Sequence, residues 1–524
     1  MRSTFHGLET SKRGLFAQQT ALQTTGHNIS NANTVGYSRQ TVNFVASSAI
    51  EVPGINNSTA PGQLGTGVDF SSINRVRETF LDDQYRNQNK ALGDWTIRRD
   101  TLEKLETIVN EPSEYGIRSV LDEFWKSWED LANQPDGLTE RAVVMEKTLT
   151  LTNAFNDLGK KLGDLNRDLT ENIKIKTDEA NNLLTEVAKL NGEIFRIESL
   201  GDNANDLRDQ RDVVTDQLSK LINIDVTNTS RGYTIKTGDT ELVNFKTVGL
   251  LDANSLPADI NSGEIYGYIE SRDNYVASMQ SEIDQMIKGL VEGEFTLTLP
   301  AGTVLPDGTT LTMSDGSVVT YSGAIGARTL SSDVAVKVQG INGLHKLGYT
   351  HQDPLQAGGD FFVTKDGSNN FTAANIMLNP DIENDIRNIA TSSRTYMDGA
   401  TEKVYKGNNE LALWMGQMRH TLVDFDLSGS NPVVNGLGTF DDYFRSVVGR
   451  LGVKSQEAVR QSDNQRILVE QIESRRQSVS GVSLDEEMSN LIKFQQAYNA
   501  SARMMTAIDE VLDKIINGMG VVGR

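Results

Sequence analysis

The chain has 524 residues, too long for a single compact core, and its 50 basic and 71 acidic residues give a formal net charge of -21. That charge repels phosphate backbones, so no nucleic acid is expected among its partners. There are no cysteines, which excludes disulfides and thiolate sites together, and no stretch approaches about 18 apolar residues, so no membrane insertion is expected either.

The first segment, Phe5 to Ile29, reads as a helix. Leu8, Leu15, Leu22 and Ile29 recur every seven residues, with Ser11, Gln18 and Thr25 at the alternate seam position. Such a half-apolar heptad touches another helix along a narrow stripe. The polar N-terminus lacks the apolar core of a secretory signal peptide. The expectation is a cytoplasmic protein or one exported by a route that reads no such peptide. A polar hinge follows, His27 to Tyr37, rich in Asn and closed by Gly36, a residue that permits a tight turn. Ser38 to Val76 reads as extended arms and loops with short β-like runs.

Helix is expected again over Glu78–Val109 and Gly116–Ala132. From Phe155 to Ile197, Phe155, Leu162, Leu169, Leu183, Leu190 and Ile197 keep a spacing of seven, with Lys176 as the polar member. A second seam, Leu158 and Leu165, continues as Ile173, Ala180, Val187 and Ile194 after a one-residue shift. Six heptads predict a coiled-coil seam, here covered by neighbouring helices of the same chain. Asp206–Leu221 closes the block. Ile222 to Leu378 is different: Asp-Gly pairs and alternating segments such as Phe295–Leu299 and Val318–Tyr321 predict strands and tight turns, interrupted by a helix at Ile265–Leu290. Helix is expected after Pro380 and over Asp441–Val479. The last helix starts at Ser483, which forms a capping-box pattern with Glu486, and stops near Gly518. The acids Asp485, Glu486 and Glu487 suit its N-terminal end, and they complement Arg2, Lys12 and Arg13 of the first helix if the two pair.

The fold class is therefore mainly α with a β-rich insertion. Terminal coiled-coil helices (1–45 with 480–524) flank an elongated helical-bundle domain (46–221 with 379–479), and a β-rich outer domain or domains occupies 222–378. Apolar stripes at both chain ends, with no sequence-adjacent partner helix, predict intersubunit packing.

These ends are recognisable. Gly7–Thr10, Ala17–Leu22 and Asn28–Tyr37 resemble the N-terminus shared by the rod, hook and hook-associated proteins of the bacterial flagellum, and Leu491–Met505 resembles their C-terminus. Tyr37–Gln40, Leu207–Asp212, Ile341–His345 with Gly359–Phe362, and Leu378–Ile382 are similar to the junction members of that axial family. The resemblance is weakest over about Phe295–Val338. It implies a secreted structural subunit of the flagellum, transiently cytoplasmic, that leaves unfolded through the flagellar type III export apparatus. Its implied partners are a cytoplasmic export chaperone, further copies of itself in a homo-oligomeric ring, the hook protein and hook-associated protein 3. The assembly interface is placed on Leu8, Leu15, Leu22 and Ile29, on the hinge residues Asn28, Asn31, Asn33, Gly36 and Tyr37, and on Leu484, Met488, Leu491, Tyr498, Met505, Ile508, Leu512 and Ile515.

No catalytic, cofactor or metal set is expected. His345 and His351 stand six apart without further ligands in view. Asp424-Phe-Asp426-Leu-Ser428 lacks the glycine and the distal Glu of a calcium loop, and Gly62–Gly67 has no Lys-Ser/Thr after it. Two other functions stay open: a wall-cleaving enzyme in the central insertion, which needs two carboxylates at a fixed separation, and an adhesin-like binding module in its β-rich part.

Overall fold

The structure is a computed structural model; it describes residues 5–49, 65–110, 116–425 and 437–518. In chain order, α1 (His6–Ser30) is followed by the hairpin β1 (Gln40–Ala46) and β2 (Val68–Arg75). Four helices come next: α2 (Thr79–Val109), α3 (Ile117–Asn133), α4 (Leu138–Glu198) and α5 (Asn205–Leu221). The antiparallel meander β3 (Asp225–Thr229), β4 (Gly232–Thr237), β5 (Thr240–Asn244), β6 (Thr247–Val248) precedes α6 (Glu264–Glu270), which runs through a π turn into α7 (Ala277–Glu292). A four-stranded sheet in the order β7-β10-β8-β9 is formed by β7 (Glu294–Leu299), β8 (Thr309–Met313), β9 (Val318–Tyr321) and β10 (Val334–Gln339), with the one-turn α8 (Ile325–Arg328) before its last strand.

Short elements follow. They are α9 (Gly340–Lys346), β11 (Phe362–Thr364), β12 (Ile376–Leu378), α10 (Pro380–Asn384), the hairpin β13 (Thr395–Asp398) and β14 (Thr401–Val404), α11 (Glu410–Gln417), and the pair β15 (Val423–Asp424) and β16 (Leu437–Gly438). The chain ends on α12 (Phe440–Ser480) and α13 (Leu484–Asp513), the latter closing in a π turn to Gly518. The expected class, mainly helical with antiparallel β insertions, is what the chain adopts. No helix among the described residues is long and apolar enough to cross a membrane.

Two compact units are present, one of residues 1–96, 173–267 and 461–524, the other of 97–172 and 268–460. In the first, the meander β3–β6 is clamped to α4 by Asn191. Its Nδ2 donates to the carbonyls of Tyr233 (2.9 Å) and Phe245 (3.0 Å), and its Oδ1 accepts from the Tyr233 amide (2.9 Å). In the second unit, α3 is amphipathic because Leu121, Phe124, Trp125, Trp128 and Leu131 share one face, and all five are buried. Trp128 meets Phe361 at 5.4 Å and Phe124 meets Phe362 at 6.4 Å between ring centroids. Asn342 fastens that aromatic pair to α9: its Oδ1 accepts from the Phe361 and Phe362 amides and its Nδ2 donates to the Phe362 carbonyl. Each fully buried aromatic of this cluster contributes on the order of 2–3 kcal/mol of burial. His345 also belongs here. Its Nδ1 lies 2.7 Å from the Gly359 carbonyl and its Nε2 accepts from the Ala390 amide at 2.9 Å, which fixes the neutral Nδ1–H tautomer.

Within Ser38–Val76 the expected short β-like runs are β1 and β2, which pair as a hairpin with a bulge between Asn43 and Phe44. The structure differs from expectation at other elements. The helix after Pro380 is only α10, capped by Asn379; a hairpin and loops then run to α11. In α4 the buried stripe is Phe155, Leu158, Leu162, Leu165, Leu169, Ile173, Thr177, Ala180, Leu184, Val187, Asn191, Ile194. Three successive steps of four, from Leu165 to Thr177, break the heptad, so Leu183 and Ile197 are only half-buried. An insertion of this kind relieves the drift of a 3.6-residue helix against a seven-residue repeat.

Candidate functional site

The two chain ends form one antiparallel helix pair, α1 on α13. A methyl group added at Gly7 would lie 2.8 Å from Ile508 Cδ1, and one at Gly14 would lie 3.0 Å from Ser501 Oγ. At the other end of the pair Asn28 Nδ2 donates to Glu487 Oε2 at 3.0 Å. These three contacts define one register. The α1 stripe in it is small and polar: Gly7, Ser11, Gly14, Gln18, Ala21, Thr25, Asn28. Ser11, Ala21, Thr25 and Asn28 are buried, and Gln18 Oε1 is buried with no partner. Small side chains let the two backbones approach closely where the glycines stand.

Leu8, Leu15, Leu22 and Ile29 lie one step round the helix from that stripe and are only half-buried. The expected leucine seam is thus a flank, because the β1–β2 hairpin and α13 take the two adjoining faces. Thr10 meets Gly67, Arg13 donates to Ser47 and Thr66, and the Phe44 ring lies 6.0 Å from that of Phe494. On α13, Leu491, Tyr498, Met505 and Ile508 are half-buried and Leu512 is buried. Leu484, Met488 and Ile515 are exposed, as are Ile492, Met504, Val511 and Ile516.

Among the described residues the expected ion pairing between the terminal helices is not made. Antiparallel packing sets the acids at the start of α13 beside Asn28, at the far end of α1 from Lys12 and Arg13. Those two instead face Glu9; Arg2 lies outside the described residues. Arg39 meets the acids, with Nε 2.8 Å from Glu487 Oε1 and Nη1 2.7 Å from Glu486 Oε2. The Ser483 cap forms, its Oγ accepting from the Glu486 amide at 3.5 Å.

A buried polar knot roots the pair. Asn28 Oδ1 accepts from the Gln40 amide (3.0 Å) and from Tyr37 Oη (2.7 Å), while its Nδ2 donates to the Gln40 carbonyl (2.9 Å). Gly36, at φ +80°, turns the hinge so tightly that a Cβ there would collide with Val213 Cγ2. Asn31 is half-buried against His27, and Asn33 is exposed. The Ser38 amide and Oγ both donate to Asp209, each at 2.8 Å.

Asp209 begins an ion network centred on α5. Arg75 Nη1 reaches Asp209 (2.6 Å) and Asp212 (2.9 Å), Arg77 grips Asp82 with two donors, and Arg86 Nε binds Asp216 at 2.8 Å. Arg476 Nη1 of α12 closes the set on Asp216 at 2.5 Å, with its guanidinium 4.3 Å from the Tyr85 ring centre. Burial alone would push the Asp212 carboxyl up, but Arg77, Arg75 and Arg86 together hold it down to about 2. Asp209 is raised, because burial outweighs its partners there. Burial and the nearby acids also raise the Tyr37 hydroxyl, which stays a donor. Every member binds another member, so the knot orients the helix pair and offers no free acid–base pair.

The motif Leu207–Asp212 was visible in the sequence, but Arg75, Arg77, Arg86 and Arg476 as its partners were not. Among the described residues no group of three His, Cys, Asp or Glu gathers as a metal set. Asp426 and Ser428, of the calcium-loop comparison, lie outside them.

The profile of the flagellar hook-associated protein FlgK helical domain matches residues 102–293. Those of the flagellar basal body rod FlgEFG protein C-terminal and of the flagella basal body rod protein match 473–518 and 8–37. The chain is 32% identical over 545 residues to flagellar hook-associated protein 1 of Bacillus subtilis (strain 168), with 100% of both chains covered. It is 26% identical over 558 residues to flagellar hook-associated protein 1 of Salmonella typhimurium, covering 96% of this chain and 98% of the relative. Among solved structures, the flagellar hook junction protein FlgK from Burkholderia pseudomallei is similar at a TM-score of 0.46 and 14% identity, over 75% of this chain and 100% of that one.

Proposed function

The chain belongs to the flagellar hook-associated protein 1 family, and on that premise we propose how it assembles. It is a structural subunit of the bacterial flagellum that forms the junction between hook and filament. The α1–α13 pair is the assembly element, and copies of the pair pack side by side in a homo-oligomeric ring. The observation that carries this reading is the exposed apolar surface of α13 on both sides of its half-buried stripe. Leu484, Met488, Ile492, Met504, Val511 and Ile516 are each more than half exposed, with the half-buried leucine flank of α1 beside the seam. A lone subunit leaves that surface in water, and neighbours bury it.

The hook protein lies on one side of the ring and hook-associated protein 3 on the other. Before assembly the chain is held by a cytoplasmic export chaperone and leaves unfolded through the flagellar type III apparatus, so its final place is extracellular. The thin polar seam supports this route, because it leaves the pair to gain much of its burial from neighbours. Leu15→Asp tests the assembly element: export persists, since the channel takes unfolded chain, and incorporation at the hook tip fails. Loss of export instead would make the segment an export signal. Electron microscopy of cells lacking the protein tests the junction role; hooks without filaments, with flagellin lost to the medium, are the expected result.

The subunit acts without catalysis. The acids of the knot are engaged by arginines, which supports a mechanical role for them. A peptidoglycan turnover that disappears with one Asp or Glu substitution would overturn this reading.

A further inference from the structure

At the root of the helix pair a groove of about 480 Å³ runs between the hinge and α5. Its floor is apolar, Val213 and Val214, and its rim carries the exposed carboxylates Glu186 and Asp206, the latter accepting from Gln40 Nε2 at 2.8 Å and lying 3.3 Å from His27 Nε2 through one oxygen. Val35 stands on the opposite lip, 88% exposed. An apolar floor under an acidic rim fits a short apolar segment that carries one cation.

Such a segment exists at the other end of the same pair. Val511, Ile515 and Ile516 are exposed at the end of α13, and Lys514 stands among them. Lys514 forms no ion pair with any described residue, whereas Lys12, beside the exposed Phe16 on α1, already faces Glu9 and the Phe16 ring. The segment cannot reach the groove of its own subunit. Ile508 packs at Gly7, and Gly7 is 21 residues of helix from Asn28, about 30 Å at 1.5 Å per residue.

We propose that the groove of one copy receives the Val511–Ile516 end of α13 from a second copy, Ile515 and Ile516 resting on Val213 and Lys514 lying between Glu186 and Asp206. The proposal rests on the assembly reading and names its contact. Groove and segment are different surfaces at opposite ends, so the contact is heterologous. Such a contact repeats from copy to copy and closes into a ring when the rotation allows. It also gives two acidic chains a point of opposite charge, which sets register and direction between neighbours.

The absence of cysteine from the chain makes the test free of background. Val35→Cys and Ile516→Cys are combined in one full-length chain, expressed in cells lacking the native protein, and hooks with attached filaments are oxidised. The expected result is a ladder of covalent multimers of this chain, with none from either single variant. Both positions are exposed, so folding is preserved. Filaments that attach normally without a ladder would overturn the docking and leave the junction role standing. A Val35→Cys adduct to a different flagellar protein would also overturn it, since the occupant would be that protein. Absence of every variant from the hook tip would bring down the junction role and the docking with it. Charge reversal gives a second reading. Glu186→Lys or Lys514→Glu, added singly to the paired-cysteine chain, sets like charges together and lowers the ladder by about tenfold or more; both together restore it in part, since Asp206 keeps its charge. No recovery in the combined variant would count against the pairing.

Discussion

Asn28 joins three segments with one side chain: the Gln40 backbone, the Tyr37 hydroxyl and Glu487 all close on it. Asn28→Ala removes the partner of the Gln40 amide and carbonyl and of the Tyr37 hydroxyl and leaves Glu487 to Arg39 alone, at a cost of about 2–4 kcal/mol. Urea unfolding of the purified subunit checks this, with an unchanged midpoint counting against the knot as an anchor. Asp212 is the more demanding position. Asp212→Asn removes one negative charge from among Arg75, Arg77 and Arg86 and is expected to cost about 3–5 kcal/mol. Its pH dependence follows from its depressed carboxyl. The folded group releases its proton at about 2, against 3.8 for the free side chain. As pH falls the unfolded chain binds the proton first, so the stability from Asp212 is complete above about pH 4 and is lost between about 4 and 2. Asp209, raised by burial, works in the opposite sense.

The same reasoning separates two neighbouring leucines of α4. A strict heptad would bury Leu183, but the insertion after Leu165 turns Leu184 inward, to 0% exposure. Leu184→Ala is expected to cost about 2–5 kcal/mol and Leu183→Ala about 1 kcal/mol. Thermal unfolding of the two variants distinguishes them, and equal losses would contradict the shifted stripe. In the α1–α13 pair the seam is thin along its length and tied at the root. Hydrogen exchange on the unassembled subunit should therefore be fast near Leu8 and Ile508, slower near Asn28, and slowest in α4. Uniform strong protection along α1 would mean that the pair is a prefolded domain.

Across the whole molecule the two units respond to acid at different pH. The unit of residues 97–172 and 268–460 buries His345 as a neutral ring, its value lowered from 6.5 to about 4 chiefly by burial. His351, beside Thr391, is lowered to about 3, also chiefly by burial. The unfolded chain takes up these protons first, so the stability they contribute is full above about pH 6.5 and falls as pH drops toward 4. His345 alone accounts for on the order of 3 kcal/mol. Exchange at pH 5 compared with pH 7.5 should show lost protection around Ile341–Leu347 while α5 is unchanged. Loss in α5 first would reverse the order.

Periodicity and caps made the long helices legible, and turn chemistry made the strands legible. Both are local: a stripe of leucines or an Asp-Gly pair acts on residues a few positions away. The motifs at the two ends identified the family because they are long and stand at the expected places. What lies across the α1 seam was not legible in this way. A heptad states that a stripe exists, not which neighbour covers it, and two adjoining faces of α1 are taken by α13 and a hairpin that is itself only weakly patterned. Antiparallel packing then decided which charges meet: the acids of α13 went to Arg39 and Asn28, and Arg13 went to Glu9, Ser47 and Thr66. The knot around Asp209 and Asp212 gathers arginines more than 100 residues away along the chain. Coulomb attraction between such groups depends on distance in space, and only the tertiary fold brings them within it.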